Sequence, residues 1–411
     1  MSFTALAEQL LEEAKKLDSH VAAGRDVSNL ATTAGAPDHK NFVVQFKESR
    51  ERAINTANEF LRQAYGPRDY VREKLSSGTD NISFQALYRY DIPPKVNEKT
   101  GTTFTDLAKQ AGVPEEPLAR ILRNAVTLGI FEEPSPGVLA HNAISRSLLD
   151  PYWLSFMGFV AQDLVKFHTR ALDAIEKWPA VSEPTECGFS LAYQSKDPLF
   201  LHFEKNPEIA MRAGKAFRAV HNTTDDGSIW QEIDRPGAVM VDVGGGHGHI
   251  AMAIARATRH LKCVVEDLPG TVEITKKEIP PELEGRVQCQ AQDFFTEQQW
   301  KGADVYFFSK IMHDWSDAYC IKILRNLIPA MKEGSTVVVN EWLVPEQARA
   351  ENAQRFIRLA DLTMLSAHNG KERTKGDWRK LFKEADERFG AVEFVEWPWT
   401  NFVHILSVWK P

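Results

Sequence analysis

The 411-residue chain has little cysteine: Cys187, Cys263, Cys289 and Cys320 are widely spaced, with no C-x-x-C pair. That excludes a disulfide framework and a clustered-thiolate zinc site, and it suits reduced thiols inside a cell. Nor is there an excess of basic charge. Lys and Arg number 49 against 56 Asp and Glu, a net charge of −7 with a pI near 6.0. Such a balance argues against a dedicated binder of nucleic acid or anionic membranes. No run of about 18 apolar residues exists to form a membrane span. The opening segment MSFTALAEQLLEEAKKL carries Glu8, Glu12 and Glu13 among its apolar residues, so it does not read as a secretory leader. The cytosol is the expected compartment.

What is present is an ordinary globular composition, 43% apolar and 26% charged, over a length that predicts two or three domains. Phe3, Leu6, Leu10, Leu11 and Leu17 fall near one face of a leading helix, which packs either on a partner subunit or on its own domain. Asp26–Asn41, broken by Gly35 and Pro37, reads as a connector. A helical pattern then runs from about Phe42 to Tyr65 and is expected to end at Gly66-Pro67. Between Thr100 and Leu149 come two short helices and a Pro/Gly-turned hairpin, the pattern of a winged helix. From Glu98 to Asp150, five Lys and Arg stand against seven Asp and Glu. A DNA reader needs phosphate-neutralising cations, so contact with another protein is the expected role. Residues 151–235 read as helical and rich in aromatics.

From Pro236 the chain alternates strand and helix, and its last two strand candidates, AVEFVEW and FVHILSVW, follow each other directly. This is an α/β fold, an open parallel sheet ending in an antiparallel hairpin. The first strand, AVMVDV, leads into Gly244, Gly246 and Gly248. That spacing is G-x-G-x-G, whereas dinucleotide sites use G-x-G-x-x-G, and here the sixth position is His249. Asp242 just before the turn would repel a pyrophosphate and attract an ammonium group. The combination favours S-adenosylmethionine over NAD. Glu266-Asp267 follow the next strand about 20 residues on, where a carboxylate can bond both ribose hydroxyls. Asp293 and Phe294 follow the third, placed for an adenine amino group and ring.

His313 stands just after another strand, at the carboxyl edge where open α/β sheets bind ligands. Ser316 or Asp317 caps the helix that follows it. Glu341 ends the next strand on the same edge, and Glu372 lies in a loop before a helix starting near Asp377. A carboxylate on one ring nitrogen fixes the tautomer and leaves the other nitrogen as a base. No cluster of residues at metal-ligand spacing is visible.

The motifs VDVGGGHG, EDLP, QDFF, HDWSD, NEWLVP and GKERT, in this order, make the chain from about residue 100 onward resemble a known family. It is that of the plant and fungal S-adenosylmethionine-dependent small-molecule O-methyltransferases, the caffeate-type group, including the fungal secondary-metabolite members. The resemblance implies a mostly helical, winged-helix-like dimerisation domain over residues 1–150 and a helical connector lining the substrate pocket over 151–235. It also implies a class I, Rossmann-like methyltransferase domain over 236–411 that binds S-adenosylmethionine, and a homodimer. The catalytic base falls on His313 and its flanking acids on Glu341 and Glu372. Cofactor contacts fall on Asp242, Gly244, Gly245, Gly246, Asp267, Leu268, Asp293, Phe294 and Ser309. The substrate pocket takes in Met364, Tyr193 and Asn369, and no metal is implied.

The expected reaction is direct methyl transfer to a phenol, enol or N-hydroxyl of an aromatic natural product such as a polyketide or indole alkaloid. A phenol near pKa 10 facing an imidazole near 6.5 leaves about 5 kcal/mol of uphill proton transfer. The alternative is a pericyclase or dehydratase that keeps the fold and cofactor without net methyl transfer. The retained His313, Glu341 and Glu372 favour methyl transfer.

Overall fold

The computed structural model describes residues 1–22, 39–220, 228–396 and 402–411. The expected connector Asp26–Asn41 therefore lies outside the described residues as far as residue 38. The chain forms two compact units. One comprises Met1–Ala7, Ala57–Thr169 and Phe200–Asn222; the other comprises Glu8–Thr56, Arg170–Leu199 and Thr223–Pro411.

The first unit is mostly helical. The helical run His39–Arg89, which belongs to this unit from Ala57 onward, breaks at Gly66 (φ 69°, ψ 169°), a left-handed position that glycine accepts without a Cβ clash. The expected stop is thus real, yet helix resumes at Pro67 and continues to Arg89. Proline suits the first turn of a helix, where its missing N–H would be unpaired anyway. Strand β1 (Thr102–Thr103) leads into the helix Phe104–Ala111, whose cap is the Thr103 hydroxyl accepting from the Asp106 amide at 3.1 Å. The helix Glu115–Thr127 follows Pro114, with Glu115 and Glu116 complementing the positive end of its dipole. Strands β2 (Phe131–Ser135) and β3 (Val138–His141) form a hairpin, and β1 pairs β3 antiparallel. Leu87, Phe104, Leu107, Leu118, Leu122, Phe131 and Leu139 fill the core between them.

The second unit is built on a seven-stranded sheet. Its strands are β4 (Val239–Val243), β5 (Lys262–Asp267), β6 (Val287–Ala291), β7 (Val305–Ser309), β8 (Thr336–Glu341), β9 (Glu393–Glu396) and β10 (Val403–Val408). The order is β6-β5-β4-β7-β8-β10-β9, with the first five parallel and β10 antiparallel to both neighbours. The order reverses at β4, so the carboxyl ends of β4 and β7 flank the crevice where such sheets take ligands. Side chains alternate between two buried layers, as period-2 geometry requires of a sheet covered on both faces. Val241, Val243, Tyr306, Phe308, Val337 and Val339 face one layer; Met240, Cys263, Val265, Phe307 and Val338 face the other. No described helix is long and apolar enough to cross a membrane.

Candidate active site

The crevice begins where β4 ends. Gly244 and Gly246 take φ of 72° and 57°, so the chain turns sharply with backbone where side chains would otherwise stand. A Cβ on Gly244 would sit 2.7 Å from the Ile311 side chain, and one on Gly245 only 2.6 Å from Asp242 Oδ2. That same Oδ2 is buried and has no hydrogen-bond partner. Burial lifts the Asp242 carboxyl to about 7, and Asp267 and Glu266 push the same way. A buried carboxylate oxygen that lacks a partner beside a glycine cradle fits a cationic ligand, as an amino-acid ammonium would be. The residues present therefore suit S-adenosylmethionine.

The neighbouring acids divide their roles. Glu266 points away from the turn, where Gln298 and Gln290 donate to it at 2.8 and 3.3 Å, and burial lifts it to about 7. Asp267 faces the turn: its Oδ2 accepts from the Gly246 amide at 2.9 Å and its Oδ1 from the Leu268 amide at 2.8 Å. The Thr271 side chain also bonds this carboxylate, which still has acceptor capacity for a hydroxyl. Asp293 accepts from the Phe295 amide at 2.9 Å, which sharpens the turn after β6. The Phe294 ring lies half-buried, 3.6 Å from where a Gly244 Cβ would stand. Ser309 Oγ accepts from the Asn340 side-chain Nδ2 at 3.1 Å.

His313 sits in a short turn, residues 312–314, that β7 delivers to the crevice. Its Nδ1 lies 2.7 Å from Glu372 Oε1 and 3.4 Å from Glu341 Oε2, and its backbone amide donates to Glu341 Oε1 at 3.2 Å. All three residues are buried. Burial alone would lower the imidazole, but Glu341, Glu372 and Asp314 outweigh it and push His313 up to about 10. Burial likewise raises Glu341 to about 7. His313 is thus a far stronger base than an ordinary imidazole near 6.5. The ligand atoms of His313, Glu341 and Glu372 also lie within 4.8 Å of one another, a spacing a metal ion accepts. The expectation of no such cluster is corrected: its members are 28 and 59 residues away from His313, so no local spacing betrays them.

Ser316 precedes the helix Asp317–Leu327 but makes no side-chain cap, so the expected capping bond is absent. The later helix starts at Lys375, capped by Thr374, with Asp377 at its third position closing a capping box. Met364 lies half-buried on the helix Asn352–His368. Asn369 ends that helix at φ 54°, and its side-chain Nδ2 donates to the carbonyls of Glu183 and Glu186, both at 2.9 Å. Tyr193 packs on Phe189 with ring centroids 5.6 Å apart.

Arg373 was not singled out from the sequence, yet it grips the His313 turn. It is 1% exposed and donates to the carbonyls of Met312 and Trp315, both at 2.8 Å, and to Asp317 at 2.9 Å. Adjacent residues therefore hold the turn from two sides, Glu372 through the ring and Arg373 through the backbone. Lys310, next to Ser309, was not singled out from the sequence either. It takes φ 56°, and its Nζ stands 4.3 Å over the Phe402 ring. Burial lowers it to about 8 against the upward pull of Glu341 and Glu372. Phe402 stacks on Trp342 (5.2 Å, 16°), which meets the His313 ring edge-on at 6.5 Å.

Known proteins resemble this chain in sequence and in fold. Residues 198–387 match the O-methyltransferase domain family. A chlorophenol O-methyltransferase of Trichoderma longibrachiatum is 34% identical, over 93% of this chain and 85% of that protein. Among solved structures, OxaC superposes with a TM-score of 0.82 at 21% identity, covering 99% of both chains. A protein described as a pericyclic reaction enzyme gives 0.73 at 19% identity, covering 90% of this chain and 98% of its own. Likeness at these identities shows the fold; the sequence relationship carries the family. The chain belongs to the fungal S-adenosylmethionine-dependent O-methyltransferase family.

Proposed function

We propose that the protein methylates an acidic hydroxyl on a small aromatic natural product, with His313 as general base and Glu372 and Glu341 as its orienting acids. The observation that carries this is the buried 2.7 Å contact from His313 Nδ1 to Glu372, which leaves Nε2 for the acceptor. Aromatic acceptors are supported by the chlorophenol named for the Trichoderma relative and by OxaC having been crystallised with oxaline and with meleagrin. The cofactor-facing residues are Asp242, Gly244, Gly245, Gly246, Asp267, Leu268, Asp293, Phe294 and Ser309, while Met364, Tyr193 and Asn369 border the acceptor. S-adenosylmethionine supplies an electrophilic methyl group.

The chain's own contribution is proton control. Ionising a phenol of pKa 10 at pH 7 costs about 4 kcal/mol whatever the base, because each pH unit is 1.36 kcal/mol. An imidazole at 6.5 meets that cost in the transfer itself. One near 10 makes the transfer almost level but is protonated at rest, so it must first release its own proton. Glu341 and Glu372 thus move the cost away from the bond-making step. In the same reading residues 1–150 are a winged-helix-like dimerisation module, 151–235 a connector and 236–411 the methyl-transfer domain, in a cytosolic homodimer that needs no divalent metal. The four free cysteines support the cytosolic setting. The test is His313→Ala with a labelled methyl donor. Cofactor affinity should persist while the rate falls by about 10² to 10⁴. A near wild-type rate would sink the assignment.

A further inference from the structure

We propose that His368 is a positioning residue that holds the Asp314 carboxylate back from the acceptor-facing nitrogen of His313. The proposal rests on the reading of His313 as the base. One oxygen, Asp314 Oδ1, lies 3.4 Å from His368 Nε2 and 3.7 Å from His313 Nε2. The three side chains are buried together, 5 to 9% exposed. Glu372 and Glu341 address His313 through Nδ1, so Asp314 is the acid on the side where an acceptor hydroxyl must arrive.

The backbone fixes this arrangement. His368 is the last residue of the helix Asn352–His368, which Asn369 ends in a left-handed conformation. The chain then presses on the catalytic turn: a Cβ on Gly370 would stand 2.1 Å from the His313 carbonyl oxygen and 2.7 Å from the Asp314 carbonyl carbon. Only glycine permits that approach. Behind the helix end, Cys187 Sγ donates to the Ala367 carbonyl at 3.1 Å. His368 and Asp314 are therefore held at a set spacing.

The chemistry follows from charge. A protonated His313 and an Asp314 carboxylate attract, and a movement of under about 1 Å would close an ion pair on Nε2. That ion pair would hold the proton on Nε2, where the acceptor needs a free lone pair. His368 offers the same oxygen a competing donor. Burial keeps its pKa low, with His313 pushing the same way against Asp314, so at neutral pH it is an uncharged ring able to donate from Nε2.

His368→Leu removes the donor. Its kcat should fall at least tenfold, with acceptor KM and S-adenosylhomocysteine affinity unchanged. His368→Gln keeps a donor and should recover to within about threefold of wild type. In an Asp314→Asn background the His368→Leu loss should shrink to under twofold, since a neutral amide does not cap an imidazolium in this way. A packing role would give the same loss in both backgrounds and overturn the proposal, as would an unchanged kcat in His368→Leu. Nitrogen NMR of the wild-type histidine rings needs no variant. It should show His368 neutral and protonated on Nε2 at pH 7, and a cationic ring or an Nδ1–H tautomer refutes the idea. A fully active His313→Ala would instead remove the base itself, an outcome separate from any His368 result.

Discussion

Replacing Glu372 by Gln tests the source of His313's basicity. The change keeps side-chain size and an oxygen able to accept from Nδ1, but removes a negative charge 2.7 Å from the ring. At an effective dielectric of 20 that charge is worth about 6 kcal/mol to an imidazolium. The net effect is smaller, because removing the charge also relieves the burial of one ion and Glu341 remains at 3.4 Å. One to three pH units is the usual net influence of a close opposite charge. Methyl transfer needs neutral His313, so kcat should climb with pH in the wild type until the ring deprotonates, near 10. In Glu372→Gln the climb should end one to three units lower. The alkaline plateau should drop about tenfold, because a weaker base with a looser tautomer remains, while at pH 7 the variant should match wild type for a one-unit shift and exceed it for a larger one. Labelled-methyl turnover from pH 6 to 10.5, with two acceptors of different pKa, separates enzyme from acceptor ionisation. A break that stays in place, or moves upward, would show that Glu372 does not set the base strength.

Asp267→Ala should weaken S-adenosylhomocysteine binding by roughly 2 kcal/mol in titration calorimetry, the scale of charge-assisted hydrogen bonds. NAD should not bind at all, and equal product affinity in the variant would remove Asp267 from the site. Turnover should survive excess EDTA; loss restored by one added divalent ion would mean that the His313, Glu341 and Glu372 atoms hold a metal. Light scattering should give about twice the 46.4 kDa chain mass, and a fully active monomer at micromolar concentration would contradict the dimer.

The sequence carries the sheet well because each strand is a short β-rich run bounded by turns, and burial on both faces leaves no other use for Val337, Val338 and Val339. The glycine turn is legible for a related reason: its spacing is a backbone requirement, local by nature. Orientation is harder. That Glu266 turns inward and Asp267 outward depends on Gln298, 32 residues away, which no adjacent signal announces. The resumption of helix at Pro67 is hidden because a Gly-Pro pair reads as a stop, while tertiary packing decides whether another helix follows. Arg373 looks like one more loop cation until its carbonyl partners on the His313 turn are known.

The same contrast explains how the site is paid for. Asp242 is the last residue but one of its buried strand and Glu341 ends another, and each keeps a carboxylate oxygen without a hydrogen-bond partner. Two such groups would be costly in an isolated loop, where the chain could move to hydrate them. Here they are fixed by ladders that the apolar core stabilises: β4 pairs with β5 and β7, and β8 with β7 and β10. Both strands deliver their acid to the same edge of the sheet, and β7, between them, delivers His313. Adjacent parallel strands thus place one acid beside the glycine turn and another beside the imidazole. Among the described residues no group steadies the Asp242 charge, and chiefly the His313 ring and amide steady that of Glu341, so each gains most when a cation or a proton arrives. That gain is what a site needs if it is to bind a cationic cofactor at one end and strengthen a base at the other.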